Sequence, residues 1–388
     1  MFRSLLDYNF YHKRVLVRCD FNLPLENGAI RDDFRIHQTL PTINHLIKSG
    51  AKLILLSHLG RPKGYPRAKL SLRPVSWRLS QLLKQEVRFV NRVLGRKVQR
   101  AVKKLKPSEV IILENLRFQR GEETNDQQFA ASLSKLGDVY VNEAFSMCHR
   151  AHASVDRLPL LLPRFAGLNL AKEVEVLSQL IFNPLRPLVV VIGGAKIESK
   201  IEVIENFLKR ADHLILGGKI VNVILRVKGI CLGKPWPSDE VALKIKGLEI
   251  TNPKIHLPVD TMVAGDPRGE SYIREAGPGS VRKEEYILDI GQESIKAFQE
   301  IIKGAATVFW AGPLGFVENP RFDRGTEEIA KAIAINRNAF KVAGGGDTII
   351  ALRKFNLLDK FSHLSTGGGA MLTFLSGNAM PGLQALET

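Results

Sequence analysis

Short runs of β-branched and leucine residues recur along the chain, each followed by a longer segment whose apolar residues return at helical spacing. In the first half the runs are Val15–Val17, Leu53–Leu56, Val110–Leu113 and Val139–Val141. In the second half they are Leu188–Ile192, Leu214–Leu216, Ile255–Leu257, Val308–Trp310 and Phe340–Ala343. Strands that are apolar throughout, with no polar alternation, are covered on both faces. Their alternation with helices predicts parallel sheets in an α/β fold. The pattern therefore predicts two doubly wound units. Between them, Ala171–Phe182 places Val174, Leu177 and Ile181 on one stripe and runs into Asn183-Pro184-Leu185-Arg186-Pro187. A helix stopped by a double-proline segment predicts a hinge at this boundary.

Length and composition agree with that division. A chain of 388 residues with 45% hydrophobic content can bury two ordinary cores. No apolar run approaches the roughly 18 residues of a membrane span, and Met1 to Phe10 contains Asp and Tyr where a secretory segment is apolar. The expectation is a soluble, cytoplasmic protein. Cys19, Cys148 and Cys231 are odd in number and widely separated, which predicts reduced thiols. The formal net charge of +17 is the one global anomaly. It favours polyanions of several kinds: phosphorylated metabolites, an anionic membrane or nucleic acid. The densest basic stretch, Arg88 to Lys106, is interleaved with Val93, Val98, Val102 and Leu105 at helical spacing, and reads first as a solvated helix face. No RNP-like aromatic strand or zinc finger accompanies it, so no specific nucleic acid is expected.

Chemistry gathers where the apolar runs end. Ligands of open α/β sheets bind beyond the carboxyl ends of strands. The stretch Ala343-Gly344-Gly345-Gly346-Asp347-Thr348 passes from a strand through three glycines to a carboxylate and a hydroxyl that open a helix. Such a turn suits phosphate: the backbone approaches the anion closely, free N–H groups point at it, and Asp347 can hold an accompanying Mg²⁺. Three more glycine turns occur in the second half, at Gly193-Gly194-Ala195-Lys196, Gly217-Gly218 and Thr366-Gly367-Gly368-Gly369. Lys196 and Lys200 stand one helical turn apart, a spacing at which both ammonium groups reach one phosphate chain. Glu318, in Trp310-Ala311-Gly312-Pro313-Leu314-Gly315-Phe316-Val317-Glu318, can accept hydrogen bonds from a ribose. There is no Walker A or Gly-x-Gly-x-x-Gly pattern.

The first half uses other residues. Arg35, Arg61 and Arg117, with Arg18 and Arg150, follow different strands or loops, and the planar guanidinium fork suits phosphate and carboxylate. His58, His149 and His152 add donors. Asp20 and Asn22 lie on one face of an extended segment, where they either orient substrate hydroxyls or form a strand-end turn.

Taken in order, these motifs resemble phosphoglycerate kinases: Arg18-Cys19-Asp20-Phe21-Asn22, Ser57-His58-Leu59-Gly60-Arg61-Pro62, Glu114-Asn115-Leu116-Arg117-Phe118, Val141-Asn142-Glu143-Ala144-Phe145, Gly193-Gly194-Ala195-Lys196, Gly344-Gly345-Gly346-Asp347-Thr348 and Ser365-Thr366-Gly367-Gly368-Gly369-Ala370. The resemblance runs from Arg14 to Leu386. It implies two similar-sized Rossmann-like domains: 1–170 for phosphoglycerate, with 376–388 packing back onto it, and 187–375 for the nucleotide, joined by an interdomain helix and hinge over 171–186. It implies reversible transfer of the acyl phosphate of 1,3-bisphosphoglycerate to ADP, giving 3-phosphoglycerate and ATP with Mg²⁺, by a monomer. Carried over by position, Asp20, Asn22, Arg35, His58, Arg61, Arg117 and Arg150 hold the phosphoglycerate. Lys196, Lys200, Glu318, Gly345, Gly346, Asp347 and Thr348 hold the nucleotide, and Asp347 ligates the metal. Arg35, Lys196 and the helix start at Gly368 meet the transferred group. The chain departs from the family pattern at Ala311, Lys219, Ile287 and Ser146-Met147-Cys148, changes that bear on nucleotide affinity and base preference more than on the reaction. A weakly active relative, or a basic nucleic-acid-binding protein on the same scaffold, stands as the alternative.

Overall fold

The structure is a computed structural model that describes residues 2–26, 28–195, 197–234 and 237–387. It contains two compact units, one reaching to Glu175 and including the chain from Ala379, the other Val176–Asn378. The chain passes between them inside one helix, Leu168–Phe182, three residues longer at its start than the apolar stripe predicts.

The first unit is built on six strands, β1 Arg14–Arg18, β2 Lys52–Leu56, β3 Val87–Val90, β4 Val110–Leu113, β5 Val139–Asn142 and β6 Arg164–Ala166. They form one sheet in the order β3-β4-β2-β1-β5-β6, parallel throughout. Helices α1 Phe34–Lys48, α2 Arg73–Leu83 and α3 Arg96–Lys103 belong to the same unit. Val15, Val17, Leu53, Leu55, Val110 and Ile112 are buried together with Ile36 and Ile43 of α1 and Val75 and Leu79 of α2. The alternate residues Leu16, Ile54 and Ile111 are fully buried as well, and burial on both faces is what a run without polar alternation requires. Strand β3 corrects the reading of Arg88 onward as helical. Val87-Arg88-Phe89-Val90 is β-branched and aromatic enough to pair with β4 as an edge strand, and helix begins only at Arg96.

The helix linking the units, α4 Leu168–Phe182, starts on a carboxylate. Glu143, directly after β5, is buried and accepts hydrogen bonds from the Asn169 and Leu170 amides and from the Thr42 hydroxyl, at 3.0, 3.4 and 3.0 Å. These amides are among the unpaired donors of the helix start, so the carboxyl caps α4 from the sheet below. Gly167 is required at this approach, since a Cβ there would lie 1.6 Å from Glu143 Oε2.

The second unit repeats the architecture. Strands β7 Leu188–Ile192, β8 His213–Leu216 and β9 Ile255–His256 precede a small antiparallel sheet of β10 Thr261–Ala264, β11 Ile273–Ala276 and β12 Tyr286–Ile290. Then follow β13 Thr307–Ala311, β14 Phe340–Gly344 and β15 His363–Ser365. The main sheet is parallel, in the order β9-β8-β7-β13-β14-β15. Its helices include α5 Glu198–Leu208, α6 Gly218–Val227, α7 Gly346–Lys354 and α8 Gly369–Leu375. Phe207 of α5 stacks on Phe309 of β13 with ring centroids 5.6 Å apart, both fully buried.

Phe207→Ala removes one of two stacked rings from a filled core. Its expected cost is about 3–5 kcal/mol of unfolding free energy, read as a lower urea midpoint at unchanged slope. A loss below about 1 kcal/mol would mean that α5 is not held to the sheet through this ring.

Candidate functional site

In the first unit, register brings the motifs together. Arg18 pairs with Leu56 of β2 and with Asn142 of β5. The strands therefore end level, and Cys19-Asp20, Ser57-His58 and Glu143-Ala144 leave the sheet side by side. The loop carrying Asn115 and Arg117 follows β4 at the same edge, tied by the Leu116 amide to the Ser57 carbonyl at 3.0 Å.

Arg18 is fully buried, with its guanidinium donating to Ser154 Oγ at 2.9 Å and to the Cys19 carbonyl, and lying 3.2 Å from His58 Nδ1. Its counter-charge is Glu122 at 3.9 Å, also fully buried, whose carboxylate accepts from the Ser154 amide at 3.0 Å and hydroxyl at 2.6 Å. Arg35 of α1 pairs with Asp20, and Ser146 donates to the same carboxylate oxygen. Asn22 accepts the Gly60 amide at 2.9 Å. Arg117 donates to the Gly60 carbonyl at 2.8 Å, and its Nε lies 3.2 Å from Glu123. That last contact is a charge contact more than a hydrogen bond, because the geometry leaves Nε without an aligned acceptor. Arg150 is half-buried and donates to His149 Nε2 at 3.1 Å. Arg61 is exposed and makes no side-chain hydrogen bond or ion pair among the described residues.

The electrostatics follow from crowding. Burial lowers the Arg117 pKa to about 10; Glu123 resists the shift, and Arg18 and Arg150 add to it. Burial, then Arg18, Arg117 and Arg35, hold His58 well below the usual histidine range. His152 is pushed down to about 3 by burial and then by Arg117, Arg18 and Arg150. His152 Nδ1 lies 3.9 Å from Glu122, but a ring neutral at pH 7 makes no ion pair there. The strand ends thus hold charged guanidiniums beside neutral imidazoles, an arrangement that suits an anion of several charges.

Sequence reasoning placed Arg18 only beside the other arginines, named Ser146 only within a departure from the family pattern, and did not single out Glu122 or Ser154. An arginine directly after the apolar run Val15–Val17, at a strand exit, was the available signal for Arg18. The other three act through contacts far away in sequence and leave none. No grouping of three or more metal-ligating side chains occurs among the described residues, so His149 and His152 are not brought into a metal cluster.

In the second unit the glycine turns also leave level strand ends. Ala311 pairs with Ile192 and with Gly344, Ile192 with Leu216, and Gly344 with Ser365. The turns interlock through the backbone: the Gly194 amide donates to the Pro313 carbonyl at 2.6 Å and the Gly218 amide to the Leu314 carbonyl at 2.9 Å. Side chains do not fit here. A Cβ on Gly193 would lie 2.1 Å from the Pro313 carbonyl oxygen, and one on Gly312 would lie 2.3 Å from that of Gly193. Lys200 of α5 is buried beneath these turns and donates to the Gly193 carbonyl. Lys196 lies outside the described residues.

Beyond the turns opens a cavity of about 370 Å³ lined by Gly194, Gly218, Tyr286, Leu314, Glu318 and Asp347, among others. Lys219 and Ile287, two of the departures noted above, also line it, whereas Ala311 is buried in β13. Gly345 has φ +96°, a backbone that glycine adopts without penalty, and it turns the chain from β14 into α7. Asp347 stands exposed in the first turn of α7. Thr348 is buried, its hydroxyl accepting the Gly312 amide at 2.7 Å, so it fastens two turns together. Gly368, with φ +50°, precedes α8.

Comparison with known proteins places this geometry. A family model described as phosphoglycerate kinase matches residues 5–378. The phosphoglycerate kinase of Dictyoglomus turgidum is 42% identical over 99% of this chain and 98% of its own, and that of Moorella thermoacetica is 44% identical over the same shares. Among solved structures, phosphoglycerate kinase from Coxiella burnetii superposes with a TM-score of 0.87 at 37% identity, covering 100% of this chain and 99% of that one. The enzyme from Pyrococcus horikoshii gives 0.88 at 36% identity, over 100% and 98%.

The neutral histidines set a pH dependence. His152 titrates near 6.5 in the unfolded chain and near 3 in the fold, so the unfolded state binds more protons between these values. Its contribution to stability is complete above about 6.5 and is lost as pH falls toward 3. Denaturant melts at pH 7 and pH 5 are expected to show a smaller drop for His152→Gln than for the parent protein. Equal drops would mean that His152 is not held neutral.

Proposed function

The chain belongs to the phosphoglycerate kinase family, and from that premise we propose how its own residues divide the work. The reaction moves the acyl phosphate of 1,3-bisphosphoglycerate to ADP, giving 3-phosphoglycerate and ATP, and runs in both directions. The observation that carries the assignment of parts is register: level strand ends gather arginines in one unit and glycine turns in the other.

In the ATP-consuming direction the nucleophile is a carboxylate, ionised at neutral pH, so the chemistry calls for no general base. What it demands is alignment and neutralisation of charge on the moving group. We assign phosphoglycerate to the first unit, with Arg61, Arg117 and Arg150 on its phosphate and Asp20, Asn22 and His58 on its polar groups. The nucleotide belongs to the cavity of the second, its ribose on Glu318 and its phosphates over Gly345, Gly346, Lys196 and Lys200. Thr348 supports that turn through Gly312. Arg35, Lys196 and the turn at Gly368 neutralise the transferred phosphoryl.

Magnesium fits this donor set. Asp347, exposed at the start of α7, lines the cavity on the side of the glycine turns, and no cluster of three metal-ligating side chains occurs among the described residues, as suits an ion that takes most of its ligands from phosphate oxygens and water. When bound, the ion offsets phosphate charge. With the two substrates assigned to different units, closure about the 171–186 segment is the motion that brings them into line and excludes water. The family resemblance also leads us to expect a cytoplasmic monomer.

A coupled assay for ADP-dependent ATP formation from 1,3-bisphosphoglycerate, with and without Mg²⁺, tests the assignment, and activity only with the metal is expected. Arg35→Ala is expected to lower kcat roughly a hundred- to a thousandfold with little change in thermal midpoint. Unchanged turnover would remove Arg35 from the mechanism. Asp347→Asn is expected to raise the Mg²⁺ and nucleotide concentrations needed for half-maximal rate while 3-phosphoglycerate binding stays as it was. Unaltered metal dependence would show that the ion is held elsewhere.

A further inference from the structure

Of the three arginines assigned to the phosphate of phosphoglycerate, Arg117 and Arg150 are fixed by side-chain partners. Arg61 is exposed and has no side-chain partner among the described residues. Its place is therefore set by the backbone on either side of it.

That backbone is tied down before and after Arg61. On the near side the Gly60 amide donates to Asn22 Oδ1 at 2.9 Å, and the Gly60 carbonyl accepts from the Arg117 guanidinium at 2.8 Å. On the far side Pro62 is buried, and the chain reverses over Pro62–Tyr65, the Tyr65 amide donating to the Pro62 carbonyl at 3.4 Å. Both central residues of this turn are left-handed, Lys63 at φ +58° and Gly64 at φ +81°. A turn of that kind favours asparagine and glycine. A lysine holds such a backbone only where its surroundings enforce it.

Two contacts do so. The Gly64 amide donates to the Arg117 carbonyl at 3.1 Å, so that Arg117 grips the loop at both ends, by its side chain at Gly60 and by its backbone at Gly64. Past the turn, Tyr65 lies against Arg120, the first residue of the short helix Arg120–Glu123. The Arg120 guanidinium is 4.9 Å from the Tyr65 ring centroid and donates to the phenol oxygen. The approach is close, since a Cβ on Gly64 would lie 2.4 Å from Arg120 Cγ. Tyr65 is 54% exposed, so its ring adds little to any core. Arg120 has no carboxylate partner among the described residues. A ring holds a guanidinium without adding negative charge, whereas a carboxylate in its place would weaken the field that attracts a phosphate.

We propose that Tyr65, stacked on Arg120, is a positioning residue: it fixes the loop from Gly60 to Gly64 and thereby the place from which Arg61 meets the phosphate of phosphoglycerate. This rests on the assignment of Arg61 to that phosphate, and Tyr65 acts only through it.

Steady-state kinetics of the full chain in the ATP-consuming direction test this through a double-mutant cycle between Tyr65 and Arg61. Tyr65→Ala is expected to raise the KM for 3-phosphoglycerate about five- to tenfold, with kcat within about twofold of the parent and the KM for ATP unchanged. Tyr65→Phe, which keeps the ring over Arg120, is expected to stay within about twofold of the parent in all three constants. Arg61→Ala is expected to raise the KM for 3-phosphoglycerate by about tenfold or more, and in that background Tyr65→Ala is expected to add less than about twofold. A contact that merely stabilises the fold does not produce that coupling. Thermal midpoints close to the parent's show that the variants fold, as the exposure of Tyr65 leads one to expect. The proposal is overturned if Tyr65→Ala leaves the KM for 3-phosphoglycerate unchanged while Arg61→Ala raises it, or if the two effects multiply in the double variant. It is overturned equally if Tyr65→Phe is impaired as much as Tyr65→Ala, or if the KM for ATP rises in step, which would mean a general loosening. An unchanged KM for Arg61→Ala is a different failure: it removes Arg61 from the substrate site and takes the role of Tyr65 with it.

Discussion

Holding several guanidinium groups in one electrostatic neighbourhood is the constraint that the first unit is organised around. Like charges a few ångströms apart repel by amounts comparable to the whole stability of a domain unless each is screened or paired. The chain meets this with Glu122 beneath Arg18, Asp20 against Arg35 and Glu123 beside Arg117. It then keeps His58 and His152 uncharged by burying them in the same field. What is left over is a cluster of cations with neutral imidazoles among them, which suits the proposed phosphoglycerate site.

The second unit solves the complementary problem mainly with its backbone. Its turns crowd so closely that a methyl group on Gly193 or Gly312 would overlap a neighbouring carbonyl, whereas Gly346 and Gly368 face open space where an anion can approach the backbone. Lys200 beneath the turns and Thr348 tying α7 to Gly312 fix the cradle from inside. Both solutions rest on one property of parallel sheets: strands in register end at one level, so loops distant in sequence meet.

Much of this was legible in the sequence. Each of the nine apolar runs became a strand; most are buried on both faces, which leaves no polar alternation, whereas Ile255–His256 is a half-buried edge pair. The strands that escaped notice are short or disguised. Arg164–Ala166 and His363–Ser365 have three residues each, and Val87–Val90 hides its β-branched ends among arginines that suggest a helix face. The antiparallel sheet of Thr261–Ile290 offers only short uninterrupted apolar runs, such as Met262–Ala264, and its other strands are broken by charged residues. Motif residues announced themselves at strand exits, whereas the residues that hold them did not. Glu122 meets Ser154, and Ser146 meets Asp20, only because the chain folds back across 32 and 126 residues respectively. No local pattern encodes such a contact.

The central claim is a division of labour, with phosphoglycerate recognised by the first unit's arginines and nucleotide by the second unit's glycine turns. Calorimetric titration of an Arg117→Ala variant, with 3-phosphoglycerate and separately with ADP, tests it most directly. The account predicts at least a tenfold loss of 3-phosphoglycerate affinity, about 1.4 kcal/mol, with the ADP affinity unchanged. Equal losses for both ligands, or none for either, would contradict it.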